Sequence, residues 1–358
     1  MMMRTIDLYL GKSFFRGLFL VVLVLVSLFS FLELVTQLDD VGKGNFQAVD
    51  AFIFVGLTLP KRIIDMLPIS ALLGGIIGLG MLAERGELIA MRAAGLSVRR
   101  ICFSVLAAAG LLMLASAAAE QFVVPQLEQY AHARRSLAIS GSSGIMLTKR
   151  GFWARYGNSF IRVGMTLSGG IATDLDIYER DSDGRLRTFI HAGEAEIHKD
   201  GRWTLKDIQK KAMEEEGITT EHLASLTIDS FFSQDQVSVL ELPPESLAPS
   251  DLRLYINALL ERGQNADHYI LALWQKLVMP LATGAMVLLS LPFVFGPPRG
   301  MTVGLRITLG AVVGIAFYLA NQIIGYLGLL LDFPAPLTTL TPVALILAIA
   351  IWRLRLAP

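Results

Sequence analysis

Charge is scarce in this sequence, and neither sign prevails. Charged residues make up 17% of the 358, with 31 basic and 31 acidic side chains, so the formal net charge at pH 7 is zero. No overall field draws the chain to nucleic acid or to an acidic partner, and any electrostatic function must be local. Cysteine is scarcer still. Cys102 stands alone, which excludes an intrachain disulfide, and at the edge of a hydrophobic run it reads as a small buried apolar residue. The five histidines are scattered, with no His-Glu-x-x-His and no cysteine cluster, so a zinc site has little support. Gly11-Lys12-Ser13 has the ending of a phosphate-binding loop, but that motif needs glycine where Ile6 stands. ATP binding by a Walker motif is excluded. Ser142 and Ser143, within Gly141–Gly144, read as a joint rather than a nucleophile. No acid, base or metal constellation converges anywhere along the chain.

What the sequence has in quantity is apolar residues in long runs: 53% hydrophobic, with a mean hydropathy of +0.55. A bilayer core about 30 Å thick takes ~20 helical residues to cross. Six segments qualify, roughly 13–36, 51–82, 99–123, 268–293, 303–331 and 337–352. Arg4, Lys12 and Arg16 precede the first, as in a signal peptide. The apolar stretch Gly17–Thr36 exceeds the usual ~7–15-residue signal core, and no Ala-x-Ala-like site closes it. It reads as an uncleaved first span. Gly74-x-x-x-Gly78 and Gly310-x-x-x-Gly314 predict close helix–helix approach.

Basic residues orient the spans. Arg4, Lys12 and Arg16, then Arg85, Arg92, Arg99 and Arg100, then Arg299 and Arg306, and finally Arg353 and Arg355 all fall on one side of a six-span chain. The opposite short loops hold Asp39, Asp40, Lys43, Asp50 and Asp332. The positive-inside rule places both termini in the cytoplasm and segment 130–250 outside, which is the periplasm if the organism is a Gram-negative bacterium. That segment is no span. Phe152–Tyr156, Phe160–Val163, Leu175–Tyr178, Leu186–His191, Glu194–His198 and Trp203–Ile208 read as short strands, with hairpin signals at Asp183-Gly184 and Asp200-Gly201. An antiparallel sandwich or jelly roll is predicted. After Pro243, Pro244 and Pro249, Ser250 is placed to cap an amphipathic helix, Asp251–Arg262, that returns to the membrane at Gly263. The predicted architecture is a membrane α-helical protein with a β insertion: residues 1–129 with three spans, 130–250 with the β domain, and 251–358 with a connecting helix and three more.

Three local features could carry function. Lys61, Arg62 and Asp65 lie between Pro60 and Pro68 inside span two, where each charge costs about 2.5–3.5 kcal/mol at mid-bilayer. Either Asp65 pairs one turn away with Lys61 or Arg62 while the basic tips snorkel to headgroups, or these residues line a cavity for an anionic ligand. Arg134 and Arg135 form a second basic pair beyond span three, either a surface pair near headgroups or more positive charge around that cavity. Lastly, the run from Glu84 to Ala94 reads as one short helix at about 83–95, stopped by Gly95, with Ser97 capping span three. Glu84 and Glu87 would share its face, with Met91 nearby. Such a helix either lies on the membrane or docks into a cytoplasmic partner.

Several stretches resemble the LptF/LptG family of lipopolysaccharide-export permeases across essentially the whole chain. They are Asp7-Leu8-Tyr9-Leu10-Gly11-Lys12, Ala71-Leu72-Leu73-Gly74, Glu87-Leu88-x-x-Met91 with Ala94-Gly95, Val124-Pro125-Gln126 and Phe295-Gly296-Pro297. Gly11-Lys12, Gly263-Gln264-x-Ala266 with Trp274, and Phe295-Gly296-Pro297-x-Arg299 look more like the LptG branch. The resemblance implies a half-transporter with no enzymatic activity or cofactor of its own. Its implied partners are a sister permease LptF, a cytoplasmic LptB dimer that uses ATP and Mg, a single-span LptC and a periplasmic LptA. It implies extraction of lipopolysaccharide from the outer leaflet of the inner membrane. It also implies that Glu87, with Glu84 and Met91 beside it, enters a groove of the ATPase. Lys61 and Arg135 would contact lipid phosphates, with Arg62 and Arg134 as neighbours. One departure stands out: span one ends in Glu33, Asp39 and Asp40, where family members can present lysines. The competing readings are a membrane-anchored scaffold whose β domain binds proteins, which leaves Lys61 and Arg62 without a reason, and a lipid-headgroup enzyme, which lacks a catalytic constellation.

Overall fold

The computed structural model describes residues 2–140, 152–156, 159–167, 171–181, 185–198, 202–214, 217–229, 244–261, 265–295 and 302–355. Nine α-helices are found among them. Six are long and apolar enough to cross a membrane: α1 (Met2–Leu38), α2 (Ala48–Glu84), α4 (Val98–Phe122), α7 (Asp267–Phe295), α8 (Val303–Leu330) and α9 (Ala335–Arg355). All six expected spans are present. The first begins well before residue 13, because the helix runs on through Lys12 and Arg16. The last reaches 21 residues, about 30 Å at the helical rise. Three shorter helices connect them: α3 (Glu87–Ala93), α5 (Val124–Ser140) and α6 (Pro249–Glu261).

The centre of the bundle is α2, which packs against α1, α7 and α8. Glycine permits this. A Cβ on Gly17 would lie 2.2 Å from the Gly74 carbonyl oxygen, and one on Gly78 would lie 2.4 Å from that of Ser13. Backbones therefore touch, and the Ser13 hydroxyl donates to the Gly78 carbonyl at 3.0 Å. The second glycine pair lets α8 approach the other side of α2, with Gly310 against Ile76 and Gly314 against Ile69. Without a hydrophobic drive between helices in lipid, such close packing holds the bundle together. Gly74→Ala, whose Cβ would come 2.5 Å from the Leu18 Cα, should destabilise the protein by about 1–3 kcal/mol. Thermal unfolding in detergent measures this. Gly80→Ala, which meets nothing within 4 Å, should leave the melting temperature unchanged or slightly raised.

Between α5 and α6 lies the β insertion: β1 (Phe152–Tyr156), β2 (Ser159–Leu167), β3 (Ile171–Arg180), β4 (Leu186–Ile197), β5 (Arg202–Glu214) and β6 (Gly217–Asp229). They form one antiparallel sheet in sequence order. Two expected strands, Leu186–His191 and Glu194–His198, are one continuous β4, and β6 was not expected at all. Both differences have one cause, a crease across the sheet. Val163 pairs with Leu175 and Met165 with Thr173, leaving Gly164 and Asp174 unpaired between them. The same gap continues through Gly193, Asp207 and Ala224 on the next three strands. Asp174 and Asp207 are left-handed, at φ 56° and 54°, a conformation that aspartate tolerates. At the crease the inward spacing becomes three: Ala172 then Leu175, Ala192 then Ala195, Leu205 then Ile208. Residues from both sides of the crease join one core around Trp203, which is fully buried. A single bent meander thus encloses its own core in sandwich fashion. The turns at Asp183-Gly184 and Asp200-Gly201 lie outside the described residues, but each joins neighbouring antiparallel strands.

Helix reaches further toward the insertion than the boundary at 129–130 implied. α5 continues to Ser140 against α2, and the Asn45 N–H donates to the Ala138 carbonyl at 2.7 Å. On the return, α6 starts at Pro249, so Ser250 is inside its first turn rather than its cap. Proline suits that opening position because its missing N–H would have no helical partner. Leu252, Tyr255, Ile256 and Leu259 form the buried face, packed on Tyr269, Ile270 and Leu273 near the start of α7. Arg262, Gly263, the Gly141–Gly144 joint, Pro243 and Arg299 lie outside the described residues.

Candidate functional site

Toward the β-domain end, α2, α4, α7 and α8 surround a cavity of about 320 Å³. Its apolar wall includes Ile64, Pro68, Met279 and Phe317; its polar wall carries Lys61, Asp65, Glu120, Gln275, Lys276, Asn321 and Gln322. Pro60 and Pro68 fall within α2, tolerated because neighbouring helices surround it. The Lys61 ammonium lies 3.4 Å from Asp65, one turn on. Across the cavity Lys276 donates to Glu120 and, at 2.8 Å, to the Glu245 carbonyl in the short 3₁₀ turn Pro244–Ser246. The Lys276 and Glu120 side chains are 7% and 9% exposed. The sequence reading did not single out this second pair, although both residues fall inside expected spans.

The other three basic candidates go elsewhere. Arg62 turns toward α1, where it donates to Ser30 at 3.2 Å and faces Glu33 at 3.5 Å. Arg135 donates to Gln37 at 2.8 Å and to Asp40, and lies 5.8 Å from the centre of the Phe54 ring. Arg134 lies 3.4 Å from Asp50. Of the four candidates only Lys61 lines the cavity. The acidic residues of span one have a role that the sequence left open, since Glu33 and Asp40 are counter-ions for Arg62 and Arg135; Asp39 is exposed. Hydrogen bonds from Lys43 and then Arg135 hold the Asp40 carboxyl below the usual carboxylate range. This tie between the α1–α2 loop and α5 is present at neutral pH and is lost as pH falls through that lowered value.

At the opposite end, Glu84 to Ala94 is not one helix. Gly86 adopts φ +74°, a left-handed break that glycine allows without steric cost. Glu84 therefore ends α2, Glu87 starts α3, and the two do not share a helical face. Glu87 accepts a 2.6 Å hydrogen bond from the Tyr9 hydroxyl on α1. Leu88 is buried and Met91 packs inward against the same core, while Ile89 is 69% exposed. Met91 is thus a packing residue here. Gly95, at φ +93°, ends α3 as expected, with the Leu96 N–H donating to the Met91 carbonyl. The Ser97 hydroxyl accepts from the Arg100 N–H, which caps α4. Arg100 also bonds Asp7 at 2.6 Å, so α1, α3 and α4 are tied together at this end.

In the β domain, Asp174, Asp176 and His191 bring ligand atoms within 4.8 Å of one another. Arg162 already occupies that group, donating to Asp176 at 2.7 Å and to Asp174 at 3.2 Å. The cluster is a satisfied ion-pair network.

Residues 8–356 match the family model described as lipopolysaccharide export system permease LptF/LptG. The chain belongs to this family. The lipopolysaccharide export system permease protein LptG of Haemophilus influenzae is 37% identical over 355 residues, covering 99% of this chain and 98% of that one. The protein of the same description from Escherichia coli K12 is 33% identical over 351 residues, covering 98% and 97%. The family match spans both groups of three helices and the insertion between them, so it describes the whole architecture. Members are permease subunits of the inner membrane, which agrees with six crossing helices.

Proposed function

We propose that this permease subunit of lipopolysaccharide export is half of the membrane gate that takes the lipid from the outer leaflet of the inner membrane. It then releases the lipid toward the β domain. One observation carries the reading: a cavity between the two groups of three spans, with Lys61 and Lys276 inside it. Charges are costly in a bilayer and are kept where they serve a pathway. Lys61 reaches phosphate directly, while Gln275 and Asn321 offer hydrogen bonds to sugar hydroxyls. Arg62, Arg134 and Arg135 hold the wall in place through their acidic partners.

Arg85, Arg92 and Arg99 lie on or beside α3, and Arg353 and Arg355 end α9, whose Leu354 packs on the same core as Leu88 of α3, which supports cytoplasmic termini and a periplasmic β domain. The chain pairs with its sister permease LptF and an LptB dimer, with LptC alongside and LptA receiving the lipid. ATP and Mg are used by LptB alone, and α3 is the docking helix. Movement of α3 would pass through the Glu87–Tyr9 bond to α1 and through the glycine contact to α2, narrowing the cavity. Co-expression of the complex with Glu87→Ala tests this. The variant is expected to lose most of its ATPase on purification, and full retention of ATPase and transport would contradict the docking assignment.

A further inference from the structure

We infer that the cavity admits a head group whose phosphate arrives already paired with a cation, either a divalent metal ion or an ammonium substituent. The inference rests on the cavity being the head-group site. Its lining is balanced rather than positive, with Lys61 and Lys276 facing Asp65 and Glu120, even before Glu245 at the rim is counted. The arginines that would have tipped the balance are bound to Glu33, Asp40 and Asp50 outside the cavity.

A bare phosphate therefore meets no net attraction here. Lys276 already spends two of its three N–H donors on Glu120 and the Glu245 carbonyl, in a pair less than a tenth exposed, so a phosphate that takes the third comes to lie beside the Glu120 carboxylate. Two anions held side by side in a buried site repel each other. A phosphate on Lys61 likewise lies beside Asp65, 3.4 Å from the same ammonium. A cation carried with the phosphate removes the conflict. The phosphate takes a free N–H of the ammonium, and the carboxylate beside it takes the incoming cation, so the two pairs become four alternating charges. Both cation sources offer this same chemistry, because either one is a compact positive charge beside the phosphate oxygens.

The test places a photoreactive residue at Met279 on the cavity wall, in the full chain assembled with its partners in nanodiscs. Three preparations of lipopolysaccharide are compared: bare phosphates in EDTA, the same lipid with Mg²⁺, and ethanolamine-substituted phosphates in EDTA. Crosslinking in the second, the third or both should exceed the first by about tenfold. The arm that rises identifies the source. Asp65→Asn, and separately Glu120→Gln, should raise the bare-phosphate arm and remove the difference; Asp65 lies at the more open pair, so its variant is informative even where Glu120→Gln folds poorly. Equal crosslinking in all three arms overturns the inference while leaving the head-group site standing. So does a cation effect that persists in both variants. No adduct in any arm overturns the head-group reading and the inference together.

Discussion

Lys276→Met, with Glu120 left in place, should destabilise the protein by about 3–5 kcal/mol. The ammonium holds Glu120 on α4 and the Glu245 carbonyl in the 3₁₀ turn, from a position on α7. One buried charge thus joins the first three spans, the last three and the return from the β domain. Removing it leaves a carboxylate 9% exposed without its ion-pair partner. The double variant Lys276→Met, Glu120→Met removes both charges and should recover most of the loss, since a buried pair often fares no better than apolar residues of similar volume. Thermal unfolding in detergent compares the three proteins. A single variant within about 1 kcal/mol of the parent would place the pair in the range of exposed ion pairs, not buried ones.

Lys61→Glu should have the largest effect on transport. It replaces the cation 3.4 Å from Asp65 with a fourth carboxylate, in a cavity already lined by Asp65, Glu120 and Glu245. Like charges in contact cost several kcal/mol. The cavity would then repel phosphate, and lipopolysaccharide release from reconstituted vesicles should fall by at least about tenfold. The complex should still assemble, because α3 and Glu87 lie at the other end of the bundle. Release within a factor of about two of the parent would remove Lys61 from the lipid path, since one lost charge contact is worth more than that.

Much of this was legible in the sequence, and what was missed has physical reasons. Span number, both glycine pairs, the Gly95 stop and the Ser97 cap are local properties, and each appears in place. The basic residues show the limit of local reading. Lys61, Arg62, Arg134 and Arg135 look alike in a one-dimensional list, but their partners are set by which helix each faces. Arg62 follows Lys61 by one residue, about 100° around the helix, so it meets α1 and Glu33 rather than the cavity. The pair that closes the cavity joins residues 156 apart in sequence, beyond the reach of any periodicity. A signal did exist, in one lysine and one glutamate lodged in otherwise apolar spans.

The β domain was legible in kind but not in detail. Strict alternation finds strands, and the crease at Gly164, Asp174, Gly193 and Asp207 breaks that alternation. In β6 the inward residues Leu223, Leu226 and Ile228 are therefore spaced three and then two apart, and no simple period reveals the strand. The run from Glu84 to Ala94 failed for a related reason. Gly86 interrupts it with a positive φ that composition alone does not announce, so Glu84 and Glu87 fall on different helices.

On the function proposed above, lipid passes through the space between the two groups of three spans. Photoreactive residues at Phe317, which lines the cavity, and at Leu345, 62% exposed on α9, test it in the assembled transporter. Lipopolysaccharide adducts are expected at Phe317, decreasing when ATP is added, with no such decrease at Leu345. Adducts absent from Phe317, or unchanged by ATP there, would place the lipid path elsewhere.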